Sequence, residues 1–122
     1  MVFSVQQIKF ELLAYMKEFG GAFGDWYVGV SNDAEEALFA QHGVRRDEDI
    51  WIYKPALTGK ATHTVLRYFR GVLHTDGPSD TDVVSDAIFA YAFKKSPNTN
   101  PRSNRGNAED ATSTLGDTLQ GS

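Results

Sequence analysis

The sequence contains no cysteine, which excludes disulfide bonds, thiolate metal sites and a cysteine nucleophile. It also lacks any apolar run close to the ~18 residues that a membrane-spanning helix requires. Its N-terminal residues do not show the basic, apolar and small-residue zones of a secretory signal. We therefore expect a soluble, cytoplasmic protein without a membrane partner.

Basic residues are in the minority, since 12 lysines and arginines face 16 acidic residues and the formal net charge is −4. This balance argues against a protein that coats nucleic acid. The charges nevertheless occur in blocks. Between residues 54 and 70 there are only basic charged side chains, and an acidic loop follows (Lys54, Lys60, Arg67 and Arg70, then Asp76, Asp80, Asp82 and Asp86). We interpret these blocks as solvated faces; the alternative is a basic strip that holds a phosphate backbone or an oppositely charged partner.

Apolar periodicity and capping signals predict three helices and three strands in the order α-β-α-β-α-β. The helices cover residues 4–18, 34–42 and 60–73, and the strands cover residues 25–30, 50–55 and 87–95. Ser4 and Gln7 form a capping box in this scheme, and Gly20 ends the first helix. The predicted fold class is therefore α+β, a small three-stranded sheet with about three helices packed on it.

The composition changes after Lys95. Residues 96–122 are rich in Ser, Asn, Thr, Asp and Gly, and their only large apolar residues are Leu115 and Leu119. Such a segment buries too little apolar surface to offset the entropy lost on ordering. We predict a single domain over residues 1–99 and a disordered polar tail over residues 100–122.

The first predicted strand is the feature around which the rest is organised. Alternation places Trp26, Val28 and Val30 on one face, with Tyr27 and Gly29 on the other. A glycine inside a strand indicates that something approaches the backbone closely. Either a core side chain does so, or Tyr-x-Gly belongs to an active-site strand.

The histidines and the other aromatic residues give less information about function. His42, His63 and His74 have no i, i+4 spacing that would place two ligands on adjacent helical turns, so we predict no metal site and no cofactor. Trp51 and Tyr53, like Trp26, are interpreted as core residues rather than as a surface for stacking bases.

Several segments together resemble a family of small bacterial and phage proteins of uncertain function. They are Trp26–Asp33, Leu38-Phe39, His42–Val44, Trp51–Tyr53, Val65, Tyr68-Phe69 and Tyr91–Lys95, so the resemblance covers about residues 24–101. That family in turn resembles the GIY-YIG nuclease domain, with Tyr27-Val28-Gly29 as the second half of the motif. The resemblance implies a tyrosine that orients water, an arginine that stabilises phosphate charge and a glutamate that holds a divalent metal.

The sequence matches the functional residues of the GIY-YIG domain only in part. Tyr27 and Gly29 match the motif, but the arginine position falls at Ala37 and the glutamate position at Leu66. Neither side chain can neutralise phosphate charge or bind a hard cation. The first half of the motif is missing before Tyr27. In a permuted arrangement Tyr91 on the last strand supplies it, which requires the two tyrosines to lie within roughly 10 Å, two strand spacings.

Three functions are consistent with these residues. The expected one is a non-catalytic GIY-YIG-like domain that binds a protein or nucleic-acid partner such as DNA. Its predicted binding residues are Gly29, Lys54, Lys60, Arg67 and Arg70. One alternative is a metal-dependent nuclease with displaced catalytic residues, such as Tyr27, Tyr53, Arg67 and one of Asp76 to Asp86. Tyr27 and Tyr91 are the catalytic candidates. The other is an acidic phage-type inhibitor that imitates nucleic acid.

Overall fold

The computed structural model describes residues 2–78 and 86–101. Its elements are α1 (Val5–Phe19), β1 (Trp26–Ser31), a π-helical segment (Glu36–Gln41), β2 (Trp51–Pro55), α2 (Gly59–Arg67), a second π-helical segment (Tyr68–Val72) and β3 (Phe89–Lys94). The α+β class and the element order agree with the sequence prediction. The predicted tail beyond residue 101, with Asp80 and Asp82 of the acidic loop, lies outside the described residues.

Local signals fix both ends of α1. The Ser4 hydroxyl accepts a hydrogen bond from the Gln7 amide at 3.2 Å, and the Gln7 side chain accepts one from the Ser4 amide at 2.9 Å. This is the predicted capping box. Gly20 follows the helix with a φ of 80°, a conformation that favours glycine. Phe19, the last residue of the helix, is 40% exposed and contacts the Tyr15 ring.

The three strands form an antiparallel sheet in the order β1-β3-β2. The last strand in sequence is therefore the central one, and β1 and β2 do not pair with each other. In this register Tyr91 of β3 lies opposite Gly29 of β1 on one side and opposite Tyr53 of β2 on the other. Two predicted site residues are thereby brought together across adjacent strands.

The two faces of the sheet pack against different parts of the chain. One face, with Trp26 and Val28, packs against α1 and α2 in the larger apolar core. The other face carries Tyr27, Tyr91 and Phe93 and packs against Ala37, Leu38 and Val44 of the segment after β1. The predicted alternation along β1 is confirmed.

Both outer edges of the sheet are partly covered. Beside β1, the Val28 amide donates to the Asp76 carbonyl at 3.0 Å and the Asp76 amide donates to the Trp26 carbonyl at 2.9 Å. At β2, the Phe3 amide donates to the Pro55 carbonyl at 2.9 Å, and Pro55 itself has no amide hydrogen to offer. These contacts limit pairing of the edges with other chains.

The second predicted helix has a wider turn than the sequence suggests. The Asp33 carboxylate caps it by accepting from the Glu36 amide at 3.1 Å. The His42 amide then donates to the Ala37 carbonyl five residues earlier, at 3.0 Å, so the turn is π-helical. Apolar spacing over so short a segment does not distinguish an α turn from a π turn.

The third predicted helix is regular only in its first half. The Thr58 hydroxyl accepts from the Ala61 amide at 3.1 Å and caps the start of the helix. Beyond Arg67 the turn widens, and the Leu73 amide donates to the Tyr68 carbonyl at 3.3 Å. Leu73 consequently packs against the core, whereas Val72 is 61% exposed.

The Gly29→Ala substitution tests the close approach at the centre of the sheet. A Cβ atom there would lie 2.5 Å from the Tyr91 hydroxyl oxygen and 2.6 Å from Tyr91 Cζ. We expect a loss of about 1–3 kcal/mol in the free energy of unfolding, measured in urea, because the ring has to move.

Gly24→Ala is the matched control, since a Cβ at Gly24 meets nothing within 4 Å. It should change the stability by no more than about 0.5 kcal/mol. Equal stabilities of the two variants would contradict the close packing of Tyr91 on Gly29.

Candidate functional site

The two tyrosines of the GIY-YIG-like comparison lie side by side on the face covered by residues 36–44. Their ring centroids are 6.2 Å apart and the rings are nearly parallel, at 20°. This distance satisfies the criterion set by the permuted arrangement. Both side chains are buried, with Tyr27 5% and Tyr91 4% exposed. The Gly29 backbone leaves the space that the Tyr91 ring occupies.

His42, at the end of the first π-helical segment, connects Tyr91 to the C-terminal part of the described chain. Its Nε2 lies 2.9 Å from the Tyr91 hydroxyl, and its Nδ1 lies 2.6 Å from the Asn100 carbonyl oxygen. A carbonyl oxygen can only accept, so we assign the hydrogen to Nδ1. In the neutral ring Nε2 is then the acceptor for the Tyr91 hydroxyl.

The Tyr27 side chain also hydrogen-bonds to Tyr91. The Tyr91–His42 and His42–Asn100 hydrogen bonds connect these groups, with Tyr27 beside the Tyr91 hydroxyl at one end and the Asn100 carbonyl at the other. We call these four groups the Tyr–His network. Burial, with a smaller contribution from Tyr27, raises the pKa of Tyr91 well above its ordinary value.

The environment keeps His42 neutral. It is only 2% exposed, and this burial lowers its pKa below the ordinary value. The hydrogen bond to Asn100 and the negative charge of Asp76 oppose the shift. Asp76 in turn pairs with Lys95, Oδ2 to Nζ, at 3.2 Å. A neutral, buried imidazole accepts and donates hydrogen bonds here, and its burial keeps substrates away.

The residues after β3 are held against the loop between Gly43 and Asp49. The Asn98 amide nitrogen donates to the Asp49 carboxylate at 2.7 Å and to the Gly43 carbonyl at 3.1 Å. Partial desolvation opposes it, but hydrogen bonds from Asn98, the Arg45 amide and Ser96 keep the pKa of Asp49 below its usual range. These contacts, with the hydrogen bond between the Asn100 amide and the His42 carbonyl at 2.7 Å, hold residues 98–100 against this loop.

The predicted basic binding residues do not form one strip. Lys54 lies at the β2 edge, 4.0 Å from Glu11 and over the Phe3 ring. Arg70 packs on Gly77, beside the β1 edge on the opposite side of the sheet. Lys60 and Arg67 are exposed on α2. Helical spacing places Lys60 and Arg67 on the same side of α2, but it does not predict where Lys54, on β2, lies.

The residues of the nuclease alternative are likewise separated. α2, with the exposed Arg67, covers the face of the sheet opposite to Tyr27. The positions expected to hold the arginine and glutamate, Ala37 and Leu66, are 2% and 4% exposed and belong to the two apolar cores. Among residues 2–78 and 86–101, three or more His, Asp or Glu side chains do not cluster as metal ligands would.

A second cluster lies on the same face near the β2 edge. The half-buried rings of Phe39, Trp51 and Tyr53 contact one another in sequence, with centroid distances of 5.0 and 6.1 Å. We call these three rings the aromatic platform. The Arg46 guanidinium lies over it, 4.2 Å from the Phe39 centroid, and binds Glu35 at 3.1 Å. Trp51 and Tyr53 are half-buried and pack at the margin of the smaller core, whereas Trp26 is fully buried.

Glu35 joins the platform to the charged loop. One of its carboxylate oxygens binds Arg46, and the other accepts from the Tyr53 hydroxyl at 3.0 Å. The hydrogen bond to Glu35 raises the pKa of Tyr53. The Trp51 indole N–H donates to the Arg46 carbonyl at 2.9 Å, which fixes the indole against the loop.

Comparisons with models of protein families, with curated proteins and with solved structures find no match for this chain. None of the helices in the described part of the chain is long and apolar enough to cross a membrane. The site is therefore interpreted from its own geometry.

Two groups of the Tyr–His network were absent from the sequence-based site. The sequence presents His42 only as a candidate metal ligand, and Asn100 falls in the predicted tail. Their contacts join residues 49 and 58 positions apart. Local pattern carries no signal for such distant contacts.

Removal of the Tyr91 hydroxyl tests the network. Tyr91→Phe leaves His42 Nε2 buried without a donor, and we expect a loss of about 1–3 kcal/mol in the free energy of unfolding. The control is Tyr68→Phe, because the Tyr68 hydroxyl makes no hydrogen bond to the residues that the structure describes. If both variants lose the same stability, the network does not support the fold.

The lowered pKa of His42 predicts a pH dependence of stability. The unfolded chain binds a proton near the ordinary value of about 6.5, whereas the folded chain binds it only at lower pH. This contribution is therefore fully present above pH ~6.5 and is lost as the pH falls through the folded-state pKa. Urea unfolding at pH 7.5, 6.5 and 5.5 should show a decline that the His42→Gln variant lacks.

His74→Asn supplies the comparison for this measurement. His74 is exposed and has a φ of 64°, which asparagine tolerates, so the variant removes an exposed histidine without strain. It should keep the wild-type decline. A decline that persists in His42→Gln would assign the effect to other groups.

Proposed function

We propose that this chain is a non-catalytic domain that binds a partner protein, built on a GIY-YIG-like sheet. The observation that carries the proposal is the state of the two tyrosines. Their hydroxyls are buried and are used within the Tyr–His network, which ends at a backbone carbonyl. A catalytic tyrosine has to reach its substrate or the attacking water.

The distribution of positive charge supports a protein partner rather than a nucleic acid. A phosphate backbone is held by several cations presented together. Lys54 has Glu11 beside it, and Arg70 lies at the opposite edge of the sheet. Only Lys60 and Arg67 are left as exposed members of the predicted set.

The GIY-YIG-like relationship is part of this proposal. It is supported by the adjacent positions of Tyr27 and Tyr91, on neighbouring strands and with ring centroids 6.2 Å apart. The same adjacency favours the second candidate, a nuclease that uses displaced residues. In that candidate, the network would have to open so that Tyr27 reaches a phosphodiester.

A cleavage assay separates the two candidates. The full chain is incubated with labelled duplex and single-stranded DNA in Mg²⁺ or Mn²⁺, beside the Tyr27→Phe variant. We expect no cleavage above buffer from either protein, because the tyrosine hydroxyls are inaccessible. Metal-dependent cleavage that disappears in Tyr27→Phe would replace our proposal with the nuclease candidate.

An NMR titration with a short DNA duplex completes this test. Negligible shifts at Lys60 and Arg67 are expected in 150 mM salt. Clustered shifts at these residues that weaken as salt is raised would indicate a nucleic-acid partner instead, since that dependence reports the release of counterions from phosphates.

A further inference from the structure

We propose that the aromatic platform of Phe39, Trp51 and Tyr53 is a docking site for an arginine-rich segment of a partner protein. This inference rests on the proposed function and names the chemistry of the partner. Tryptophan and tyrosine are among the residues most enriched at the centres of protein interfaces. On the platform they are half-buried and held in place by the Trp51–Arg46 and Tyr53–Glu35 hydrogen bonds.

The charge around the platform specifies a cationic partner. Residues 33–49 contain six acidic residues and two arginines, so this segment carries a formal charge of −4, equal to that of the whole chain. The rest of the sequence is therefore neutral overall. The exposed acidic side chains of the segment are Asp33, Glu35, Glu36, Asp47 and Glu48. Complementary charge both steers a partner and fixes its register.

The chain already places one guanidinium on this surface. Arg46 lies 4.2 Å from the Phe39 centroid and 5.7 Å from the Trp51 centroid, while its Nη2 binds Glu35. Ring faces attract cations, and arginine stacks on them with its planar group. Arg46 thus reveals the group that the surface accepts. With 53% of its side chain exposed, it lies where an incoming arginine can displace it.

The contrast with the rest of the molecule favours this location. A shallow groove of about 380 Å³ on α1 is lined by Phe3, Gln6, Gln7, Phe10 and Glu11, with Lys54 beside Phe3 and Glu11. Its single acidic side chain already faces that lysine. The platform combines aromatic faces, a carboxylate and an excess of negative charge within one segment.

Fluorescence anisotropy with a fluorescein-labelled nona-arginine peptide tests the proposal on the full chain. Arg46→Gln removes the internal competitor and should tighten binding about threefold to fivefold, the range expected for an exposed cation–ring contact. Arg45→Gln makes the same charge change, but Arg45 pairs with Glu48 and is not placed over the platform. It should stay within about twofold of the wild type.

The opposite charge change gives the second pair of variants. Glu35→Gln should weaken peptide binding about threefold to fivefold, since the carboxylate that pairs with a guanidinium is lost. Glu11→Gln, on α1, should stay within about twofold. If Glu35→Gln retains wild-type binding, or if the two variants of each pair have equal effects, the peptide is bound by diffuse electrostatic attraction. Either result would overturn the proposed docking site.

Two further outcomes also overturn it. One is the absence of peptide binding at millimolar protein. The other is preferential binding of labelled oligo(dT), which would make the platform a base-stacking surface. If the peptide fails to bind and the DNA cleavage assay is negative, only the platform is rejected. Metal-dependent cleavage lost in Tyr27→Phe would reject the proposed function itself.

Discussion

The packing of the Tyr91 ring on the Gly29 backbone is the contact on which the rest of this face depends. Any side chain at position 29 would meet the Tyr91 hydroxyl, so the ring can lie flat over β1 only because that residue is glycine. In this position the hydroxyl reaches both Tyr27 and His42. His42 then hydrogen-bonds to Asn100, and Ser96 and Asn98 donate hydrogen bonds to the Asp49 carboxylate. The absence of a Cβ atom at Gly29 therefore contributes to the position of residues 96–100.

The tyrosines illustrate how the same residues can suggest catalysis and serve stability. A hydroxyl that donates to a histidine resembles the start of a general-base mechanism. Here the histidine donates its single N–H hydrogen, on Nδ1, to a backbone carbonyl, and all three side chains are at most 5% exposed. A fully satisfied polar network of this kind restricts the core to one arrangement.

Sequence signals anticipated the features that arise within a few residues. The Ser4–Gln7 box and the alternation of β1 follow from local hydrogen bonding and apolar periodicity, and both are present. The unexpected features arise from contacts across the fold. Lys54 pairs with α1 because of sheet order, and His42 meets Asn100 because β3 returns through the centre. The π turns, too, depend on packing that apolar spacing does not encode.

The position of β3 has a consequence for how the chain acquires its structure. Among the described strands, β1 and β2 each pair with β3 and not with each other, and β3 lies after residue 88. The sheet therefore requires residues from both ends of the described chain, and β1 and β2 have no neighbour in it until β3 has been synthesised. Such long-range pairing makes folding slower than local contacts would, and it makes the pairing of β1 and β2 depend on residues 89–94.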